Sequence, residues 1–288
     1  MTTEKNHNFY VPESAMAIVA HPDDVDFGCA GIFARWAKHG ARLCYVLCTS
    51  GDVGIAVEGM TKARAIEIRE AEQHEAAKIV GVQDLVFLRE PDGMLQATLE
   101  LRKKLVREIR RFRPEAVFIM DPTLLWAGDG YINHPDHRAA GTAAVDAIFP
   151  AAGQPNLFQE LESEGLKAFK PRKVFSLNWR DGDHFFSIDE TMDLKIAALR
   201  AHKSQMSGWD PEPRIREWAA ERAKGKEMKY AEVFRVVTLE GDEDWEKHKG
   251  EVVGRRREAE EEMAKRSSKA VRKKGGPKRG GRTPRRKR

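Results

Sequence analysis

The sequence predicts an α/β protein with a mostly parallel sheet and helices on both of its faces. Three observations predict it. Short apolar runs of strand length recur at Ala15 to Ala20, Leu43 to Cys48, Leu85 to Leu88 and Ala116 to Met120. Between them lie longer segments whose apolar residues repeat at helical spacing, and each run ends in a polar turn or loop. Alternation of this kind gives parallel strands joined by helical crossovers.

Taken in order, residues 1 to 10 carry no pattern, and the first strand then runs into His21. Phe27 to Gly40 reads as a helix, with Phe27, Ala30, Phe33, Ala34 and Ala37 on one face and Gly40 as its C-cap, and Asp26 lies close to its N-terminus. The second strand ends in Thr49-Ser50-Gly51-Asp52, a polar wall at the sheet edge that carries His21. Lys62 to Val80 is a long helix stopped by Gly81; the strand Leu85 to Leu88 leads into the turn Arg89-Glu90-Pro91-Asp92-Gly93. Leu95 to Arg113 is an amphipathic helix ended by Pro114, and the fourth strand follows. Residues 121 to 133 lack periodicity and form a loop. Pro135 suits a first helical position, so His134 is the expected N-cap of a helix through Phe149, with His134 and His137 on one face of its first turn. Residues 150 to 170 are irregular. Lys173 to Trp179, Phe185 to Ile188 and Val233 to Leu239 read as later strands, and Asp189 to His202 as a well-capped helix.

Composition bounds the function. At 288 residues, 41% hydrophobic and 33% charged, the chain can bury a sizeable core. It shows no signal-peptide pattern and no apolar run near the roughly 18 residues that cross a membrane, so a cytoplasmic address and no membrane partner are expected. Cys29, Cys44 and Cys48 are odd in number, lack CxxC spacing and sit in or beside apolar segments, which marks them as reduced core residues. From Gly254 to Arg288 there are 16 Lys and Arg against 4 Glu, a net of +12, and this leaves the first 253 residues at +5 − 12 = −7. Residues 1 to 253 are expected to form the domain, and 254 to 288 a disordered basic tail.

The chemistry gathers at two motifs, His21-Pro22-Asp23-Asp24 after the first strand and His134-Pro135-Asp136-His137 after the fourth. Ligands of open α/β sheets collect outside the carboxyl ends of strands, so the two should share one crevice. Either motif alone is as well explained by helix capping. Together, at two strand-to-helix junctions, they point to a metal site. A catalytic zinc takes three ligands from His, Asp or Glu and keeps a position open; the candidates are His21, Asp24 and His137. Asp23 is then placed to accept a proton from water, and His134 to stabilise an oxyanion or protonate a leaving amine. A dinucleotide site is a poorer fit, since Gly28, Gly31 and Gly40 do not make GxGxxG.

Ala20 to Asp24, Asp26 to Gly31, the Thr49 to Asp52 turn, Arg69 with Glu72 ahead of Gly81, Pro91-Asp92-Gly93, His134 to Arg138 and Arg200 to Gln205 together resemble the LmbE/PIG-L family of zinc-dependent N-acetylglucosaminyl deacetylases. The resemblance runs in register from about residue 15 to 205. It implies a Rossmann-like fold, Zn2+ on His21, Asp24 and His137, Asp23 as general base and His134 as partner of the tetrahedral intermediate. It further implies that Arg69 and Asp92 contact the sugar of a small N-acetylated amino-sugar conjugate. Many members carry Glu where this chain has Val25 and Asp26, and the basic tail is not part of the pattern. The Thr49 to Asp52 turn, Arg69, the Asp92 turn and the 121 to 133 loop would line a polar crevice, short of apolar side chains and open on its aglycone side toward that loop. The reading from a different class is a nucleic-acid-associated protein whose tail holds phosphates non-specifically through counterion release. The oligomeric state stays open.

Overall fold

The computed structural model describes residues 10–250 except 179 and 248. The chain divides after Gly241, and the fold described here is that of the first unit; the described residues of the second, from 242 on, are mostly helical. The basic segment 254 to 288 and Trp179 lie outside the described residues.

Strand β1 (Ser14–Val19) is followed by a short helix α1 (Asp24–Gly28), then α2 (Ala30–Lys38), β2 (Arg42–Thr49), α3 (Lys62–Val80) and β3 (Asp84–Glu90). Next come α4 (Leu99–Phe112), β4 (Ala116–Met120), α5 (Pro135–Ile148), α6 (Gln159–Ser163) and β5 (Lys173–Leu177). The chain continues through β6 (His184–Ser187), α7 (Met192–Ala201), α8 (Glu212–Ala223) and β7 (Ala231–Thr238). The sheet has seven strands in the order β3-β2-β1-β4-β5-β7-β6. Its first five are parallel, as expected, with Ile18 level with Val46 on one side and Ile119 on the other. The last two differ: β7 runs antiparallel to β5 and to β6.

Side chains of a strand alternate between faces, and both sets are buried here. Ala15, Ala17, Val19, Leu43, Tyr45, Leu47 and Phe118 form one core with Ile32, Phe33 and Trp36 of α2 and Ala76 and Val80 of α3. Met16, Ile18, Val46, Val117 and Ile119, the alternate set, are buried as well, and α5 packs on β1 and β4. Gly141 makes that approach close, since a Cβ there would collide with the Met120 carbonyl. The start of α5 is therefore held tightly against the end of β4. Strand order reverses between β1 and β4, the place where an open α/β sheet leaves a crevice.

Two expectations change in detail. The helix expected over Phe27 to Gly40 breaks at Cys29 (φ −145°, ψ 9°) into α1 and α2. No local side chain caps α2. Its Gly31 and Ile32 amides instead donate to the carboxylate of Glu232 on β7, at 3.0 and 2.9 Å. Lys195 of α7 closes this buried pair, its Nζ donating to Glu232 Oε1 at 2.7 Å and to the Asp26 and Phe27 carbonyls. The helix expected over Asp189 to His202 starts at Met192 without a side-chain cap, because Asp189 accepts from the Lys229 and Tyr230 amides. Helix α8 had no counterpart among the expected elements. No helix among the described residues is long and apolar enough to cross a membrane. All three cysteines are free and buried.

Candidate active site

β1 delivers His21 to Asp24 and β4 delivers the loop and helix start that carry His134 and His137, so the two motifs meet across the switch point. The rings of His21, His134 and His137 lie with centroids 4.9 to 5.4 Å apart. Asp24 sits between two of them: its Oδ2 is 3.4 Å from His21 Nδ1 and its Oδ1 is 3.1 Å from His137 Nε2. Burial disfavours its charge, but the His137 and His21 imidazoles outweigh that and hold its carboxyl well below the usual range.

Each of these imidazoles has its other nitrogen occupied. His21 Nε2 lies 3.2 Å from Asp136 Oδ2 and 3.3 Å from Asp92 Oδ1. His137 Nδ1 lies 3.1 Å from Asn133 Oδ1. Acceptors at those positions favour the tautomers whose free nitrogens face Asp24, the arrangement in which imidazoles bind metals. Burial opposes protonation of His21, yet Asp136, Asp24 and Asp92 together push its pKa up to about 12, and a metal on Nδ1 would replace the proton there.

Ligand atoms of His21, His134 and His137 fall within 4.8 Å of one another, and so do those of His21, Asp92 and Asp136. His21 thus borders two candidate cages, and donor chemistry separates them. Asp136 already accepts from Gly93 N at 2.8 Å and Leu95 N at 3.1 Å, and Asp92 from Val53 N at 2.7 Å and Thr49 Oγ1 at 3.3 Å. Both carboxylates are tied into the turn after β3 and serve to hold His21. Asp24 accepts one backbone bond, from His21 N at 2.8 Å, and otherwise faces the imidazoles. Donor chemistry thus favours the side of the His21 ring that faces His134 and His137 as the place that could hold a divalent ion, with the Asp24 carboxylate between His21 and His137.

His134 differs from its neighbours in exposure, its side chain being 42% exposed against 14% and 16% for His21 and His137. It caps α5 by accepting from Asp136 N at 3.2 Å through Nδ1. That leaves Nε2 as the proton-bearing nitrogen. Burial and the charge of His21 lower its pKa, so it is a neutral donor at neutral pH.

Asp23 adopts a left-handed backbone (φ 88°) that non-glycine residues rarely hold. Two side chains of α3 enforce it: Gln73 Oε1 accepts from Asp23 N at 3.0 Å, and Arg69 Nη2 donates to Pro22 O at 2.6 Å. Such strain persists where the surroundings over-determine it, and here it lets adjacent carboxylates reach one cavity. Gln73 is fixed in turn by Asp26 at 3.1 Å, which also takes His202 Nε2 at 2.8 Å. Burial pushes the Asp23 carboxyl up to about 6 despite the Arg69 guanidinium 3.4 Å away. Gly51 (φ 66°) leaves room for that guanidinium, which a Cβ there would meet at 2.8 to 2.9 Å.

All seven expected site residues, His21, Asp23, Asp24, Arg69, Asp92, His134 and His137, line one cavity of about 1120 Å3. Arg69 and Asp92 do so while engaged with the chain itself. Asp136, Asn133, Gln73, Asp26 and His202 had no role assigned from sequence, although Asp136 stood inside a histidine motif and Asp26 and His202 inside the family-like segments. The expectation of a polar crevice holds for one wall only. The opposite wall carries Phe27, Leu177, Ile188, Ile215, Trp218 and Val233, and the cavity extends toward α8 as well as the 121 to 133 loop.

Residues 16–148 match the family model for GlcNAc-PI de-N-acetylases, PIG-L. The diacetylchitobiose deacetylase of Thermococcus kodakarensis is 31% identical over 236 residues, covering 81% of this chain and 86% of the relative. A 1D-myo-inositol 2-acetamido-2-deoxy-α-D-glucopyranoside deacetylase of Saccharopolyspora erythraea is 26% identical over 237 residues, covering 67% and 83%. Among solved structures, the N,N'-diacetylchitobiose deacetylase of Pyrococcus horikoshii superposes with a TM-score of 0.74 at 27% identity, over 82% of this chain and 88% of that one.

Proposed function

This chain belongs to the PIG-L family of de-N-acetylases, and from that premise we propose that it is a zinc-dependent hydrolase removing the acetyl group from an N-acetylglucosaminyl conjugate. The observation that carries the proposal is the Asp24 carboxylate between His21 Nδ1 and His137 Nε2, with both outer nitrogens held by buried acceptors. Two imidazoles and a carboxylate suit zinc. An ion held by them would act as a Lewis acid toward the acetamide carbonyl and lower the pKa of a water.

The remaining groups divide the proton chemistry. Asp23 accepts the proton of the attacking water, its raised pKa bringing it nearer the working pH of a general base. His134 presents Nε2–H to the oxyanion, and Asp23 passes the proton it took from the water to the leaving amine. Arg69 positions Asp23, and with Asp92 it offers polar atoms to sugar hydroxyls. A 2-acetamido sugar is the moiety common to the names of the relatives, and a site built to pair hydroxyls discriminates against analogues lacking them. The catalytic domain spans residues 1 to 253 and works in the cytoplasm. Neither the relatives nor the described residues favour the nucleic-acid reading.

The test is a comparison of substrates. Zinc-loaded protein is expected to release free amine from N,N'-diacetylchitobiose with a kcat/KM at least ~10²-fold above that for an acetyl-lysine peptide. Comparable values for the two would remove the sugar assignment and leave a general amidohydrolase. A second expectation concerns Asp136. Asp136→Asn places an amide where His21 and two backbone N–H groups need an acceptor, so zinc affinity should fall by roughly 10–100-fold with the fold intact. A chelator titration reads this, and an unchanged zinc affinity would show that His21 needs no such support.

A further inference from the structure

Helix α8 places Ile215, Trp218, Ala219 and Arg222 at i, i+3, i+4 and i+7, on one face, and all four line the cavity that holds the histidines. Phe27, Leu177, Ile188 and Val233 line the cavity with them. The volume, about 1120 Å3, exceeds the roughly 300–1,000 Å3 that drug-sized ligands occupy, and a single N-acetylhexosamine is smaller than those. The polar wall around Asp23, Arg69 and Asp92 accommodates the sugar; the apolar remainder has no use for one.

The fourth member of the α8 face is a cation. Lys195, the other cation on this side, is satisfied by Glu232 and two carbonyls. Arg222 has no hydrogen-bond or ion-pair partner among the described residues, and the carboxylates of Glu232 and Glu221 act on it only at longer range. A cavity-lining guanidinium without such a partner is free to pair with an anionic ligand group.

We propose that the α8 side of this cavity is an aglycone subsite, and that the substrate is an amino-sugar conjugate whose aglycone is apolar and carries an anionic group that pairs with Arg222. The proposal rests on the deacetylase reading and deepens it. Each methylene taken out of water is worth up to roughly fourfold in affinity, so chain length on the aglycone is the readout.

The experiment compares methyl, octyl and 8-carboxyoctyl N-acetyl-β-D-glucosaminides with the zinc-loaded full chain. The same three aglycones are measured by calorimetry as glucosaminides, which lack the acetyl group and cannot turn over. Octyl is expected to exceed methyl by about 30-fold or more in kcat/KM and in affinity, and carboxyoctyl to exceed octyl by about tenfold. Arg222→Met and Arg222→Lys should respectively abolish and reduce the carboxylate gain, leaving the octyl-over-methyl ratio in place. Equal values for methyl and octyl overturn the subsite while sparing the deacetylase. A carboxylate gain that survives Arg222→Met overturns the role of Arg222. If none of the three is hydrolysed, the deacetylase reading fails, and the calorimetric ranking still decides the subsite because it needs no turnover.

Discussion

Asp23→Asn is expected to lower kcat by roughly 10²–10⁴-fold, the usual contribution of a general base, while zinc content stays stoichiometric. The substitution keeps the shape of the side chain and removes its capacity to take a proton. Its backbone is held by Gln73, and the Pro22 carbonyl by Arg69, and neither anchor uses the Asp23 carboxylate. Arg69 keeps its strongest hydrogen bond. The coordinating atoms of His21, Asp24 and His137 are likewise untouched. A variant with nearly wild-type kcat would assign Asp23 to positioning Arg69 and leave the base unidentified.

The second large effect is loss of the metal. His137→Ala removes one arm of the Asp24 bridge and is expected to leave purified protein without stoichiometric zinc and without amine release. His137 is the informative choice because His21 belongs to both candidate cages, whereas His137 is absent from the set with Asp92 and Asp136. Elemental analysis after exhaustive dialysis reads the outcome. Zinc retained at one per chain in His137→Ala, and lost in Asp92→Ala, would move the ion to the other side of the His21 ring.

Much of this site was legible from the order of residue types. Four apolar runs with helical segments between them gave the parallel half of the sheet, and the coincidence of two HPD motifs at strand ends brought His21, Asp24 and His137 together before any geometry was known. What escaped depends on side-chain direction across long separations. Asp136 looks like a helix-start carboxylate, yet it turns back to His21 and two amides of the turn after β3. Gln73 reads as a solvated helix position, but it faces Asp23 and Asp26. The break at Cys29 is set by Glu232, 201 residues from Gly31. Helix α8 was missed because half of its sequence, EPRIREWAAERA, is charged and it carries a proline in its first turn. Its buried face is recognisable only once the cavity is seen, and with it the apolar wall that composition near the motifs did not suggest.

The central claim is that a single ion at His21, Asp24 and His137 drives N-deacetylation of an amino sugar. The most direct measurement is the rate of amine release from N,N'-diacetylchitobiose as zinc is titrated into metal-free protein. The account predicts a rate that rises in proportion to occupancy and levels off at one zinc per chain. A rate already present in metal-free protein, or still absent at full occupancy, would contradict it.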